Sequence, residues 1–179
     1  SRLVPHKQIE DALEAIAALR PRMPDLHLDI VGGGWWEERL VEHGALLGIS
    51  DAVTFHGHVD DETKHRVLQH SWVQVLPSRK EGWALAVTEA GQHSVPTIGY
   101  RSSGGLTDSI VDGVTGLLVD NHHELVDQLE RLLTDQVLRE QLGAKAQTRS
   151  GEFSWRQSAD AMRSVLEAMH AGHMVSGVV

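Results

Sequence analysis

The chain has 179 residues, enough for one domain with a full core, and its 41% hydrophobic and 23% charged residues are ordinary for a globular protein. With 16 Lys and Arg against 25 Asp and Glu the net charge is −9, so neither nucleic acid nor an anionic membrane surface is an expected partner, and a bound anion needs a local group of cations. No apolar run reaches the ~20 residues that span a bilayer, no stretch reads as a secretory leader, and the lack of cysteine excludes disulfides and thiolate zinc sites and fits a reducing, cytoplasmic compartment.

Arg2–Val4 reads as the end of a truncated strand. With no initiator Met before it, we expect a piece of a longer protein. A helix follows over Gln8–Arg20, where Ile9, Leu13, Ile16 and Leu19 recur at helical spacing and give one apolar face. Next come a strand over His27–Val31, a helix over Glu37–Leu47, a strand over Val53–His56 and a helix over Asp61–His70. The alternation continues with a strand over Trp72–Pro77, a helix over Trp83–His93, a strand over Pro96–Gly99, a helix over Leu106–Asp112 and a strand over Gly116–Val119. Helices over His123–Thr134, Gln136–Arg149 and Trp155–His170 close the pattern. Strands alternating with helices imply an α/β domain on a doubly wound, Rossmann-like parallel sheet, here over residues 1–170, with a flexible tail over 171–179.

In open parallel sheets ligands sit beyond the carboxyl ends of the strands. Five unusual clusters fall there in succession: "RLVPHK" (2–7), "GGG" (32–34), "HGHV" (56–59), "SRKEG" (78–82) and "RSSGG" (101–105). Any one of them suits an ordinary turn. Together they mark a ligand cleft.

Within "SRKEGWALAVTEAG" two carboxylates, Glu81 and Glu89, bracket an apolar run. A helix starting near Gly82 leaves its first amides without internal partners, and its dipole favours an anion there. Eight helical residues rise about 12 Å, too far for a hydrolytic carboxyl pair at ~5–9.5 Å. The spacing suits two grips on one elongated ligand. Glu81 alone could simply complement the helix dipole, whereas Glu89, among Leu85, Ala86, Val87 and Ala90, needs either a structural partner or a ligand. Arg2 and Lys7 are the candidate cations for phosphate oxygens. Arg79 and Lys80 read as loop surface.

These segments, with "VTFHGHV", "LPSRKEGWALAVTEA", "VPTIGYRSSGG" and "IVDGVTGLLV" in order, resemble the C-terminal, nucleotide-sugar-binding half of retaining GT-B glycosyltransferases of the group 1 family, glycosyltransferase family 4. The resemblance runs down to "FSW" (153–155). It implies that Arg2 and Lys7 hold the donor diphosphate, that Glu81 binds donor-sugar hydroxyls and that Glu89 binds the ribose. It also implies that amides around Gly82, Trp83, Ala84, Leu85 and Ala86 line the diphosphate and sugar, with Gly33 and Gly34 in the donor site and His58 and Val59 against the base. The family usually has Gly at position 84, so the Cβ of Ala84 bears on sugar orientation. Ser1 and Gln8 also stand where the family often has Gly. Trp35–Trp36 is uncommon and is expected to pack the helix start or to touch a ligand.

The implied chemistry is transfer from a UDP- or GDP-linked sugar with retention by front-face attack, without a metal or other cofactor. The acceptor, a sugar or lipid-linked saccharide, would be read by an N-terminal domain absent from this chain, which could bring it to the inner face of a membrane. The chain alone would bind donor and transfer little. The 12 histidines include no set with convincing metal-ligand spacing. "GGG" lacks the full dinucleotide fingerprint, which weighs against a dehydrogenase. A sugar-nucleotide epimerase of the same fold and a non-catalytic nucleotide-binding or interaction module stay open as alternatives.

Overall fold

The structure is a computed structural model and describes residues 2–153 and 155–170. Ser1, Ser154 and the expected tail over 171–179 lie outside the described residues.

The chain runs through α1 (Ile9–Leu19), β1 (Leu28–Val31), α2 (Glu37–Leu46), β2 (Val53–Gly57), α3 (Asp61–His70), β3 (Gln74–Leu76), α4 (Leu85–Gln92) and β4 (Thr97–Tyr100). It ends with α5 (Leu106–Ser109), β5 (Gly116–Val119), α6 (His122–Thr134), α7 (Gln136–Ser150) and α8 (Trp155–His170). These are the elements read from periodicity, with close boundaries. α5 is the short one. Ile110 turns extended, the Val111 amide donates to the Thr115 hydroxyl, and Asp112 accepts from the Leu118 amide.

All strand pairings are parallel, and they form two sheets, β1–β2 and β3–β4–β5. The single continuous sheet expected from the alternation is divided, and Arg2–Val4 forms no strand among the described residues. Val4 is extended, and among the described residues Leu3 joins the segment to the end of β1, its N–H donating to the Gly33 carbonyl at 3.0 Å and its carbonyl accepting from the Trp36 amide at 3.3 Å. Between the sheets lies an apolar cavity of about 790 Å³ whose walls include β1, β3, Leu3 and Ile9.

α1 holds the two sheets together. Leu13 and Ile16 pack with Leu3, Ile30, Leu40, Ile49 and Ala52 over β1–β2, while Ala15 and Leu19 join Ile98, Val119, Leu125, Leu129, Leu132 and Leu142 over β3–β5. β4 and β5 are buried at every position, as strands covered on both faces are. Tyr100 at the end of β4 donates to Asp11 on α1, and burial together with that carboxylate pushes its phenol well above the usual value. No described helix is long and apolar enough to cross a membrane.

Candidate functional site

The five loop clusters are joined into one rim by backbone hydrogen bonds. The Gly32 amide donates to the Gly57 carbonyl (2.8 Å), linking "GGG" to "HGHV". Leu3 N–H donates to Gly33, which brings in the first segment. The Arg79 amide donates to His6 (2.9 Å), the Glu81 amide to Ser103 (2.8 Å) and the Gly105 amide to Glu81 (3.1 Å), so "SRKEG" bridges "RLVPHK" and "RSSGG". Ser103 also donates its hydroxyl to the Ser78 carbonyl. Two glycines of the rim are required by closeness alone. A Cβ on Gly34 would lie 2.2 Å from the Leu3 carbonyl oxygen, and one on Gly105 would lie 1.4 Å from that of Gly82. Gly34 is thereby accounted for as the seat of the first segment.

Pro5 opens a single 3-10 turn, Pro5–Lys7, and its fixed φ suits that position. The turn delivers Lys7 to the carboxylate predicted on the facing loop. Lys7 Nζ lies 2.6 Å from Glu81 Oε1, and the Ser78 hydroxyl donates to the same oxygen at 2.6 Å. The pair is largely buried, with 16% of the Lys7 side chain and 11% of the Glu81 side chain exposed. Sequence reasoning assigned Lys7 and Glu81 to different parts of a ligand and did not foresee their contact. Ser78 stood within the "SRKEG" cluster but was given no role of its own.

α4 begins at Leu85, two residues later than read, because Ala84 sits at φ 56°, ψ 71° in the left-handed region. That conformation costs an L-residue ~1 kcal/mol or more and is the natural place for glycine. It explains physically why Ala84 stands out. No side chain caps α4, whereas Asp60, Asn121 and Asp135 cap α3, α6 and α7. The Val87 amide donates to the Ala84 carbonyl at 2.9 Å, and the Leu85 and Ala86 amides are left for an outside acceptor beside Glu81. Gly82 and Trp83 lead into it. Trp83 is half-exposed and meets Phe153 edge-on, ring centroids 4.7 Å apart. Leu85 is exposed and Ala86 partly buried.

Glu89 departs from the reading of a carboxylate buried among apolar neighbours. Its side chain is 35% exposed, and Oε1 receives Lys64 Nζ from α3 at 2.8 Å. Lys64 also contacts Asp61 at 2.9 Å. Hydrogen bonding to Glu89, and then to Asp61, raises the Lys64 pKa above its usual value. No sequence signal paired Lys64 with Glu89, which are 25 positions apart.

Arg2 is exposed on the segment beside Gly33 and Gly34. His58 is exposed and Val59 half-buried, next to the Gly32–Gly57 junction; Arg79 and Lys80 are exposed, as read. Trp36 packs at the start of α2 and donates to Glu10 at 2.5 Å, while Trp35 is 72% exposed. His56 bonds Asp29 at 2.7 Å.

Comparison with known proteins bears on this geometry. The family profile described as glycosyl transferases group 1 matches residues 1–149. The D-inositol 3-phosphate glycosyltransferase of Corynebacterium diphtheriae is 33% identical over 172 residues, covering 92% of this chain and 40% of that protein. The chain thus spans well under half the length of this curated relative. HepE from Anabaena, solved in complex with UDP, superposes with a TM-score of 0.83 at 20% identity over 94% of this chain and 47% of its own. The pneumococcal O-GlcNAc transferase GtfA, solved with UDP and GlcNAc, gives a TM-score of 0.83 at 23% identity over 93% of this chain and 34% of its own. At such identities the superpositions establish the fold.

Proposed function

Because this chain belongs to the group 1 glycosyltransferases, we propose that it is the donor-binding half of a retaining family 4 enzyme, moving a sugar from a nucleotide-diphosphate sugar to a hydroxyl acceptor. The observation that carries the reading is the joined rim, with Lys7 and Glu81 in contact beside the uncapped start of α4.

Arg2 and Lys7 take the donor diphosphate. The Lys7 ammonium has three N–H donors, so its bond to Glu81 leaves others for a phosphate oxygen. Glu81 uses Oε1 for Lys7 and Ser78 and offers Oε2 to sugar hydroxyls. Glu89 takes the ribose, the amides around Trp83, Ala84, Leu85 and Ala86 line the diphosphate, and Gly33, Gly34, His58 and Val59 lie toward the base. As the sugar–phosphate bond breaks, negative charge grows on the leaving diphosphate and positive charge at the anomeric carbon. Fixed cations and amides aimed at the diphosphate lower that barrier, each such donor contributing ~2.7–4 kcal/mol in comparable sites. No metal is needed in this scheme. The acceptor hydroxyl attacks from the face the diphosphate leaves and gives its proton to the departing phosphate oxygen, which retains configuration.

HepE and GtfA were solved with UDP, which makes a UDP-sugar the first donor to test, with a GDP-sugar second. The name of the corynebacterial relative makes an inositol phosphate the first acceptor to try, ahead of other sugar or lipid-linked hydroxyls. We assign acceptor recognition to a further, N-terminal domain and the site of action to the cytoplasm. By itself this chain binds nucleotide and transfers little.

Calorimetry with UDP and GDP, followed by thermal shift with a nucleotide-sugar panel, tests the reading. We expect micromolar-class UDP binding that Glu89→Ala weakens, whereas Glu81→Gln weakens the sugar nucleotide more than UDP. A folded protein that binds no nucleotide overturns it in favour of an interaction module. Isotope exchange at C2 of a bound sugar nucleotide would make the protein an epimerase instead.

A further inference from the structure

We propose that Lys64 is a positioning residue for the ribose end of the donor, holding the Glu89 carboxylate so that its remaining lone pairs meet the 2′- and 3′-hydroxyls. The inference rests on Glu89 being the ribose carboxylate.

Lys64 is itself well held. Asp60 caps α3 by accepting from the Thr63 amide at 2.8 Å, and the Lys64 amide donates to the Asp60 carbonyl at 3.0 Å. This first turn follows directly on "HGHV", so a base-side loop and a ribose-side carboxylate meet through one ammonium. Lys64 keeps 25% of its side chain exposed and bridges two carboxylates on different helices, Asp61 at 2.9 Å and Glu89 at 2.8 Å. Its contact to Glu89 is through Oε1 alone.

An ionised carboxylate offers about four lone-pair sites. One ammonium on Oε1 leaves enough to accept both hydroxyls of a vicinal diol. A Glu side chain fixed on folding also need not be ordered when ligand arrives, which favours affinity. Lys64 further offsets the charge of Glu89, which would otherwise repel the diphosphate. That second effect is blind to the ribose hydroxyls, so the two are separable.

The test is calorimetry with UDP and with 2′,3′-dideoxy-UDP on the wild type, Lys64→Met, Lys64→Arg, Asp61→Asn and Glu89→Gln, each shown to be folded by circular dichroism. The wild type should prefer UDP by about tenfold or more, a difference two good hydroxyl contacts readily supply. Lys64→Met should cut that preference to about threefold or less, chiefly by weakening UDP. Lys64→Arg should restore most of it, and Asp61→Asn, which leaves the contact to Glu89, should keep it. An unchanged preference in Lys64→Met, or an equal loss for both nucleotides, overturns the role of Lys64 while Glu89→Gln still reports on the ribose reading. A wild type that binds both nucleotides alike overturns both.

Discussion

Glu81 and Glu89 lie on one short stretch, and each has Oε1 taken by a lysine from another element. Their surroundings differ. The Lys7–Glu81 pair is shielded and shares its oxygen with Ser78, whereas Lys64–Glu89 joins two helix surfaces at 25% and 35% exposure. Coulomb attraction is similar in kind at both, but solvent screening is not. Removing one partner of a shielded pair strands a desolvated charge, while an exposed pair contributes little. One arrangement can therefore serve the rim's architecture and the other mainly ligand geometry.

Glu81→Ala gives the largest expected effect. It leaves Lys7 without its partner and should destabilise the fold by about 3 kcal/mol, read as a lower urea midpoint at unchanged slope. A loss no greater than that of Lys64→Met would break the contrast. Ala84→Gly tests the backbone between the two carboxylates. Relief of the left-handed strain should raise stability by about 1 kcal/mol, seen as a higher melting temperature, and a fall would show that the Ala84 Cβ packs usefully. Lys64→Met should cost less than about 1 kcal/mol, and added salt should shrink that cost.

The smallest effect concerns the α3–α4 seam near Glu89. There His65 Nδ1 and His93 Nε2 approach to 2.7 Å, and burial, then the His65 charge, lowers the His93 pKa below its usual 6.5. The folded state thus binds this proton less readily than the unfolded chain. Its stabilisation is present above about pH 6.5 and is lost as pH falls toward the lower folded value. Melting temperatures from about pH 7.5 to 5.5 should fall more steeply in the wild type than in His93→Gln. Equal slopes would clear the seam of that role.

Periodicity located the helices because an apolar face at 3.6-residue spacing has few other uses, as Leu13, Ile16 and Leu19 on α1 demonstrate. It also brought the five clusters to one edge, since parallel strands put successive loops there. It read Arg2–Val4 as a strand, but a strand depends on partner edges that no local pattern specifies, and among the described residues Leu3 bonds the Gly33 carbonyl and the Trp36 amide of the loop after β1. The late start of α4 was likewise hidden, because Ala84 in the left-handed region follows from the turn's closure and not from alanine's own preference.

The sequence by itself determined the order and type of the elements after Val4, the rim on which the unusual loops gather, and two carboxylates, one before the start of α4 and one within it. All of these are set by chain-local spacing and by the direction of parallel strands. Tertiary structure alone decided which lysine meets which glutamate and how much water reaches each pair. Lys7 and Glu81 are 74 positions apart, Lys64 and Glu89 are 25 apart, and contacts across such separations depend on how helices and loops pack in space.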